Sequence, residues 1–590
     1  MVNSYKILFE KKEIYYLLIT LIGSVVASLL ELIGIGTIPA FVLLITDMEK
    51  VFYYLEMYNF TQIVQLVNGF SFYELVLISA ILLSLVFLFK NIFIIGLIYF
   101  EGVVLRNLTT NLSRKLFNIY INSPTIFHAQ RNSSNIIRNI TEEIEYVRAS
   151  IRASMVLVRE ALTISVIVFT VFIIDPIIAT SIFLLLGTSS ILFIFIIQKK
   201  LENWGKKHQD FRGKQIKSIN HGLGSIKDIK ILNREYNVFK IFLKETYGRM
   251  HYHFLQQFFS QIPRRILEVV SIISVLIIVL LFFYLNRSIE IMLPIITLFA
   301  VSVIRFVPSL NGITSSYTTI KFYRPAVMLV ISELQNYSRY YKNKFKLRKN
   351  VEIKNNLTSS NIYFKYPESS DYILKNINIK INRGEAIGIV GKTGSGKTTL
   401  VENIIGLLQP SKGEVKIDGM EYNLFNQRKL SLGYVPQDIF LTDDKILNNV
   451  AFGIEENLID EKKVIECLKI ANIYDFIQNL PNALNTFVGE RGIKLSGGQK
   501  QRIGIARSLY DNPDLLVFDE GTSSLDNLTE NEIINSILNL KGQKTIIIIA
   551  HRLTTIENCD NIFLLEKGVI KDQGKYTELI KKHELLSFVK

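Results

Sequence analysis

The residues best suited to chemistry lie between positions 366 and 551. Gly391, Lys392, Thr393, Gly394, Ser395, Gly396, Lys397 and Thr398 form a glycine-rich run closed by a lysine and a hydroxyl, with Thr399 next. Ala386-Ile-Gly-Ile-Val390 ahead of the run reads as a short buried strand, and Thr398-Thr-Leu-Val-Glu-Asn-Ile-Ile-Gly406 behind it reads as a helix. A strand–loop–helix of this kind cradles phosphates. Its glycines let backbone N–H groups turn inward, and the helix N-terminus adds a favourable dipole. Lys397 is then expected to reach the β- and γ-phosphates, and Thr398 to ligate Mg²⁺.

Leu515-Leu-Val-Phe-Asp519 is an apolar strand ending in a carboxylate, the expected Mg²⁺ partner. Glu520 follows it and is suited to orient or deprotonate an attacking water. His551 ends another apolar strand, Thr545-Ile-Ile-Ile-Ile-Ala550, where it can sense a γ-phosphate. Leu495-Ser-Gly-Gly-Gln499 opens an Arg-rich helix, so Ser496, Gly497 and Gly498 present a second anion-binding N-terminus. Two phosphate cradles in one chain suggest two chains sharing two nucleotides. Phe364 and Tyr366 offer an aromatic face for a base, and core packing explains either of them equally well.

The elements that hold these residues form an α/β domain over 351–590, behind a Ser/Asn/Lys-rich linker at 336–350. Residues 1–335 are different. Of the 590 residues 49% are hydrophobic, mean hydropathy is +0.28, and the apolar runs gather before position 330. Six of them are long enough to span a bilayer, at about 14–45, 75–100, 155–174, 177–197, 266–285 and 291–308. Asp175-Pro176 reads as a tight turn that makes a hairpin of the third and fourth. The net charge of +15 comes largely from Lys and Arg in the loops of a membrane protein, so nucleic acid is not the expected partner. The two cysteines, Cys467 and Cys559, imply neither a disulfide framework nor a Cys-rich metal site.

Basic residues fill 101–152 and 199–265, whereas 46–74 carries Asp47, Glu49, Glu56 and Glu74 against Lys50. The first two stretches are expected in the cytoplasm and the third outside, which puts the α/β domain where ATP is. The two long loops contain candidate contacts to it at Asn122-Ser-Pro-Thr-Ile-Phe127 and Gly222-Leu-Gly-Ser-Ile-Lys-Asp-Ile-Lys-Ile231.

Together these motifs closely resemble the nucleotide-binding domain of ABC transporters, and the six spans resemble the exporter half-transporter. The resemblance covers essentially the whole chain. It implies that Tyr366 stacks on adenine, that 391–398 is the Walker A loop, and that Gln437 links Mg²⁺ and water to the membrane loops. It implies that Ser496, Gly497, Gly498 and Gln499 complete the partner's ATP site. Asp519 becomes the Walker B aspartate, Glu520 the catalytic glutamate, Asp526 the D-loop aspartate and His551 the switch histidine. Gly489-Glu-Arg-Gly492 is similar to the exporter X-loop, and Gly521 and Ser524 stand where alanine is usual. ATP and Mg²⁺ are the implied cofactors, a homodimer the working form, and the cytoplasmic membrane its place.

The cargo is sought among ionisable residues in apolar runs: Glu31, Lys90, Arg264 and Arg305, with Arg265 beside them. Lys90 lies sixteen residues past Glu74, about 24 Å in, and Arg305 fifteen past Glu290, about 22 Å in. A basic ring at one inner-leaflet depth suits an anionic headgroup; snorkelling of long side chains explains the same positions. The aromatic outer segment 51–60 reads as a short interfacial helix or as an ordinary aromatic belt. With the contexts of Glu31, Pro39, Arg264 and Pro308, these features resemble bacterial lipid-linked oligosaccharide flippases. That implies a polyprenyl-pyrophosphate glycan drawn from membrane lipid. A multidrug, lipid or peptide exporter is the alternative, and the lack of a Cys-His peptidase ahead of the first span argues against one that trims its own peptide.

Overall fold

The structure, a computed structural model, describes residues 6–57, 69–174, 176, 180, 183–284, 289–342, 349–367, 369–422, 428–519, 527–550 and 555–582. It divides into two compact units: residues 1–123 with 127–344, and residues 124–126 with 345–590.

The first unit is built of long helices: α1 (Lys11–Thr46), α2 (Met48–Met57), α3 (Phe72–Ile121), α4 (Ile144–Ile174), α5 (Thr188–Gly224), α6 (Glu235–Tyr284) and α7 (Ile289–Lys342). The start of α3 is fixed by a capping box, in which Glu74 N–H donates to Ser71 Oγ and Ser71 N–H donates to Glu74 Oε2. At about 1.5 Å per residue a 50-residue helix runs about 75 Å, more than twice the hydrocarbon thickness. The upper part of α3 turns Leu82, Leu85, Phe89, Ile92 and Ile95 outward, as a lipid-facing helix requires, whereas Leu108, Leu112 and Leu116 lower down are fully buried. Among the described residues four helices are long and apolar enough to cross a membrane: Lys11–Thr46, Phe72–Ile121, Ser133–Ile173 and Leu184–Gly224. The expected fifth and sixth spans fall on α6 and α7. Asp175 of the expected hairpin turn lies outside the described residues. The aromatic segment after the first span is helical through Met57, as α2.

Buried polar networks tie the lower helices together. Arg131 Nη1 donates to both Glu333 carboxylate oxygens at 2.9 and 2.8 Å, Tyr120 Oη donates to Glu333 Oε2 at 3.0 Å, and Asn139 donates to Tyr120. Just after Arg138 the chain makes a π-helical turn at Asn139–Glu143, and Glu143 is fully buried against Arg138 Nε at 3.0 Å. The stretch 336–342, which reads as linker, is instead the end of α7. Tyr337 packs on the core beside buried Leu334 and takes a hydrogen bond from Arg131, so tertiary contacts override a linker-like composition.

The second unit has a six-stranded sheet, a four-stranded one and a two-stranded parallel pair, Lys349–Val351 with Arg428–Leu430. The main strands of the two larger sheets are β1 (Asn356–Phe364), β2 (Leu374–Asn382), β3 (Ala386–Val390), β4 (Lys412–Ile417), β5 (Leu432–Val435), β6 (Leu515–Asp519), β7 (Thr545–Ile549), β8 (Asn561–Glu566) and β9 (Val569–Gly574). The large sheet has the order β9-β8-β3-β7-β6-β5, parallel except for β9 on β8. The fully buried runs of β3, β6 and β7 explain their unbroken apolar sequences. The small sheet, β2-β1-β4 plus Met420–Glu421, is antiparallel. The segment Pro124–Ile126 belongs to this unit, where Thr125 Oγ1 donates to the Leu407 carbonyl and Ile126 packs on the core.

Candidate nucleotide site

The glycine-rich loop leaves the C-terminal end of β3 and enters helix α8 (Lys397–Ile404). Gly391 sits where a Cβ would lie 2.2 Å from the Leu565 carbonyl, so the loop closes only with glycine there. Gly396, at φ +101°, starts the helix in a conformation that L side chains rarely adopt. Lys397 is buried and folds back over the loop, its Nζ donating to the Gly391 carbonyl at 2.9 Å and the Lys392 carbonyl at 3.3 Å. Ser395 is buried, and its hydroxyl has no partner among the described residues. A cradle that excludes side chains, a lysine held above it and an unsatisfied hydroxyl within it fit a phosphate chain.

Asp519 ends β6, two strands from β3, yet it reaches this loop. The Thr398 hydroxyl donates to Asp519 Oδ1 at 3.2 Å, joining residues 121 apart in sequence. Tyr434 on β5 donates its hydroxyl to Asp519 Oδ2, also at 3.2 Å. Burial and the negative charge of Asp519 push the Tyr434 hydroxyl well above its usual range, so it stays a donor. Burial, then the same charge, raises the carboxyl of Glu402 on α8. A hydroxyl and a carboxylate at hydrogen-bond distance, beside a second partly desolvated carboxyl, form an oxygen donor set that suits a hard cation such as Mg²⁺. Tyr434 and Glu402 belong to no motif read from the sequence; the one available signal was Tyr434 on a strand just ahead of Gln437.

Gln437 is exposed in the turn after β5, the strand paired with β6. Tyr366 is half-buried at the edge of the small sheet, its ring 5.1 Å from Phe364 and nearly perpendicular to it. Phe364 is fully buried, which assigns it to the core and leaves Tyr366 as the aromatic face. Ser496 caps helix α10 (Gly497–Leu509); α9 (Glu461–Ile470) precedes it. The Gln499 N–H donates to Ser496 Oγ at 3.3 Å, and Ser496 N–H donates to Gln499 Oε1 at 2.9 Å. This box orders the first turn and leaves Ser496 and Gly497 at the surface. Gly489 and Arg491 both take positive φ in the tight segment ahead of it. Glu520, Asp526 and His551 lie outside the described residues, as do Gly521 and Ser524.

In the first unit the structure brings together three of the four proposed cargo residues. Glu31 on α1 accepts from Lys90 Nζ on α3 and from Arg305 Nε on α7, each at 2.9 Å. Lys90 is 1% exposed and is also seated over the Phe87 ring. Arg264 is not part of this cluster; it is exposed and pairs with Glu268, as does Arg265.

Two family matches cover most of the chain. Residues 374–523 match the ABC transporter family, and residues 15–307 match the ABC transporter transmembrane region. The chain belongs to the ABC transporters, built as an exporter half-transporter. Among its relatives is the alpha-hemolysin translocation ATP-binding protein HlyB of Escherichia coli O6:H1, 45% identical over 237 residues, 40% of this chain and 33% of that protein. The leukotoxin export ATP-binding protein LtxB of Aggregatibacter actinomycetemcomitans is 44% identical over 232 residues, 39% of this chain and 32% of that protein. The matched stretch thus spans about a third of the length of these curated relatives. In fold, this half-transporter is similar to a bacterial Atm1-family ABC exporter with ATP bound, with a TM-score of 0.78, 97% of each chain covered and 21% identity.

Proposed function

We propose that this half-transporter is an ATP-driven exporter of an amphipathic polypeptide, working as a dimer of two identical chains in the cytoplasmic membrane with its α/β domains in the cytoplasm. The observation that carries the motor reading is the Thr398–Asp519 contact beside Lys397, which joins two distant motifs into one phosphate and cation site. Mg²⁺·ATP supplies the energy through cleavage of its γ-phosphate. Lys397, Ser395 and the loop N–H groups would bind the phosphates; Thr398, Asp519 and Gln437 would hold the cation. Glu520 would take the proton of the attacking water, and His551 would face the γ-phosphate. Ser496 and Gly497 sit at the surface and, with Gly498, Gln499 and Asp526, would close the site of a second copy.

The polypeptide reading has two supports. Two relatives, HlyB and LtxB, are named for alpha-hemolysin translocation and leukotoxin export. A polyprenyl-pyrophosphate glycan, in contrast, calls for cations gathered around one open site, whereas Lys90 is buried on Glu31, which also accepts from Arg305, and Arg264 lies apart, exposed beside Glu268. The test is uptake into proteoliposomes, comparing a fluorescent amphipathic peptide with a fluorescent polyprenyl-pyrophosphate oligosaccharide. ATP-dependent peptide accumulation, absent in Glu520→Gln, is the expected result. Glycolipid flipping without peptide uptake overturns the cargo, and absence of ATPase in the wild-type protein overturns the motor.

A further inference from the structure

A cavity of about 570 Å³ lies along α3 and α4, and nothing above assigns it a role. Its walls carry four guanidiniums, Arg106, Arg148, Arg152 and Arg159, against two carboxylates, Glu101 and Glu145. The carboxylates are already engaged. Arg159 Nη1 donates to both oxygens of buried Glu101 at 2.9 and 3.0 Å, and Arg148 Nε donates to Glu145 at 2.6 Å. Arg106 touches only the side-chain oxygen of neighbouring Asn107, and Arg152 has no polar partner among the described residues. Both are exposed. The hydroxyls of Thr109 and Thr110 bond back to their own helix, so the guanidiniums are the donors that remain.

Position narrows the ligand. On α3 the apolar run, interrupted by Lys90, ends at Glu101; on α4 the last charges before the apolar run are Arg159 and Glu160. The upper wall, with Ile98, is therefore at the hydrocarbon boundary. From Arg159 to Arg148 the basic face descends about 16 Å at 1.5 Å per residue, through the headgroup layer. Planar guanidiniums match phosphate oxygens in pairs. Gly102 leaves the wall beside Glu101 open: a Cβ there meets no atom within 4 Å.

We propose that this cavity binds an anionic phosphate group, apolar side uppermost, as presented by an anionic phospholipid headgroup of the inner leaflet or by free phosphate. The cavity shares no residue with the nucleotide site or with the Glu31 cluster, so its failure leaves the motor reading untouched. The experiment uses the full chain in detergent, titrated with short-chain phosphatidylglycerol, short-chain phosphatidylcholine and inorganic phosphate, and read by native mass spectrometry without ATP. Phosphatidylglycerol is expected to bind in preference to phosphatidylcholine. At roughly fivefold per juxtamembrane cation, Arg106→Gln with Arg152→Gln weakens it about 30-fold. Gly102→Phe fills the cavity without changing any charge and abolishes binding. Lys240→Gln with Lys244→Gln removes two exposed charges on α6 and leaves binding unchanged. Binding of inorganic phosphate with the same variant pattern supports the site with a soluble occupant; phosphatidylglycerol alone supports the lipid headgroup. Wild-type binding by Gly102→Phe, or equal loss in the lysine variant, overturns the proposal in favour of diffuse surface attraction.

Discussion

Asp519 is held from two sides, by the hydroxyls of Thr398 and Tyr434. Partners that orient a metal-binding carboxylate commonly matter about 10- to 100-fold in metal affinity. Tyr434→Phe is therefore expected to raise the Mg²⁺ concentration for half-maximal ATPase about tenfold, with a smaller fall in rate at saturating Mg²⁺. An unchanged Mg²⁺ dependence removes Tyr434 from the site. That the glycine-rich loop and Asp519 would meet was legible in the sequence, because phosphate and cation chemistry calls for fixed residue types at fixed spacing. Tyr434 and Glu402 were not, since they reach the site only through strand register and the packing of α8. The cysteines illustrate the other case: burial, foremost, pushes the Cys467 thiol up to about 11 and the Cys559 thiol up to about 12. The thiolate is the reactive form, so neither reacts with a maleimide at neutral pH in the folded protein, and labelling appears only on unfolding or in strong alkali. Rapid labelling of the native chain at pH 7 contradicts their burial.

At the scale of elements, α5 and α7 meet at Gly205, where a Cβ would lie 1.9 Å from the Phe322 carbonyl. Backbone cannot yield as a side-chain tip can. Gly205→Ala, which improves intrinsic helix propensity, is nonetheless expected to lower stability by about 1–3 kcal/mol, in the range of overpacking. Thermal unfolding in detergent measures it, and a higher midpoint contradicts the contact. The apolar runs were legible because a lipid-facing helix must be apolar over a fixed length. The end of α7 was not. Its Ser, Asn and Lys residues look like linker, yet Tyr337 packs on the core and accepts a bond from Arg131. Arg264 falls outside the expected basic ring for a related reason. Spacing gives depth along a helix and not which residues share a partner. Glu31 takes both Lys90 and Arg305, while Arg264 lies on an exposed turn with Glu268.

At the scale of the whole molecule, the chain holds one P-loop and one exposed signature turn at Ser496, and the proposed function needs two of each, paired across chains. Glu520→Gln is expected to hold the dimer closed on ATP, with nucleotide retained after gel filtration and steady-state ATPase lost; wild-type turnover in that variant removes Glu520 as the base. Family membership and fold class were legible because several short motifs occur in one order. Cargo was not, because it depends on a cavity lined from several helices rather than on a contiguous pattern.

The most direct test of the shared site is complementation between two inactive chains. Lys397→Ala destroys a chain's own phosphate cradle, and Ser496→Arg destroys the surface it lends to its partner. Each variant alone is predicted to hydrolyse no ATP. Co-expressed and purified as mixed dimers through two different tags, they retain one intact site, so ATPase returns. Mixed dimers as inactive as either parent, or a Ser496→Arg chain that hydrolyses ATP on its own, would contradict the account.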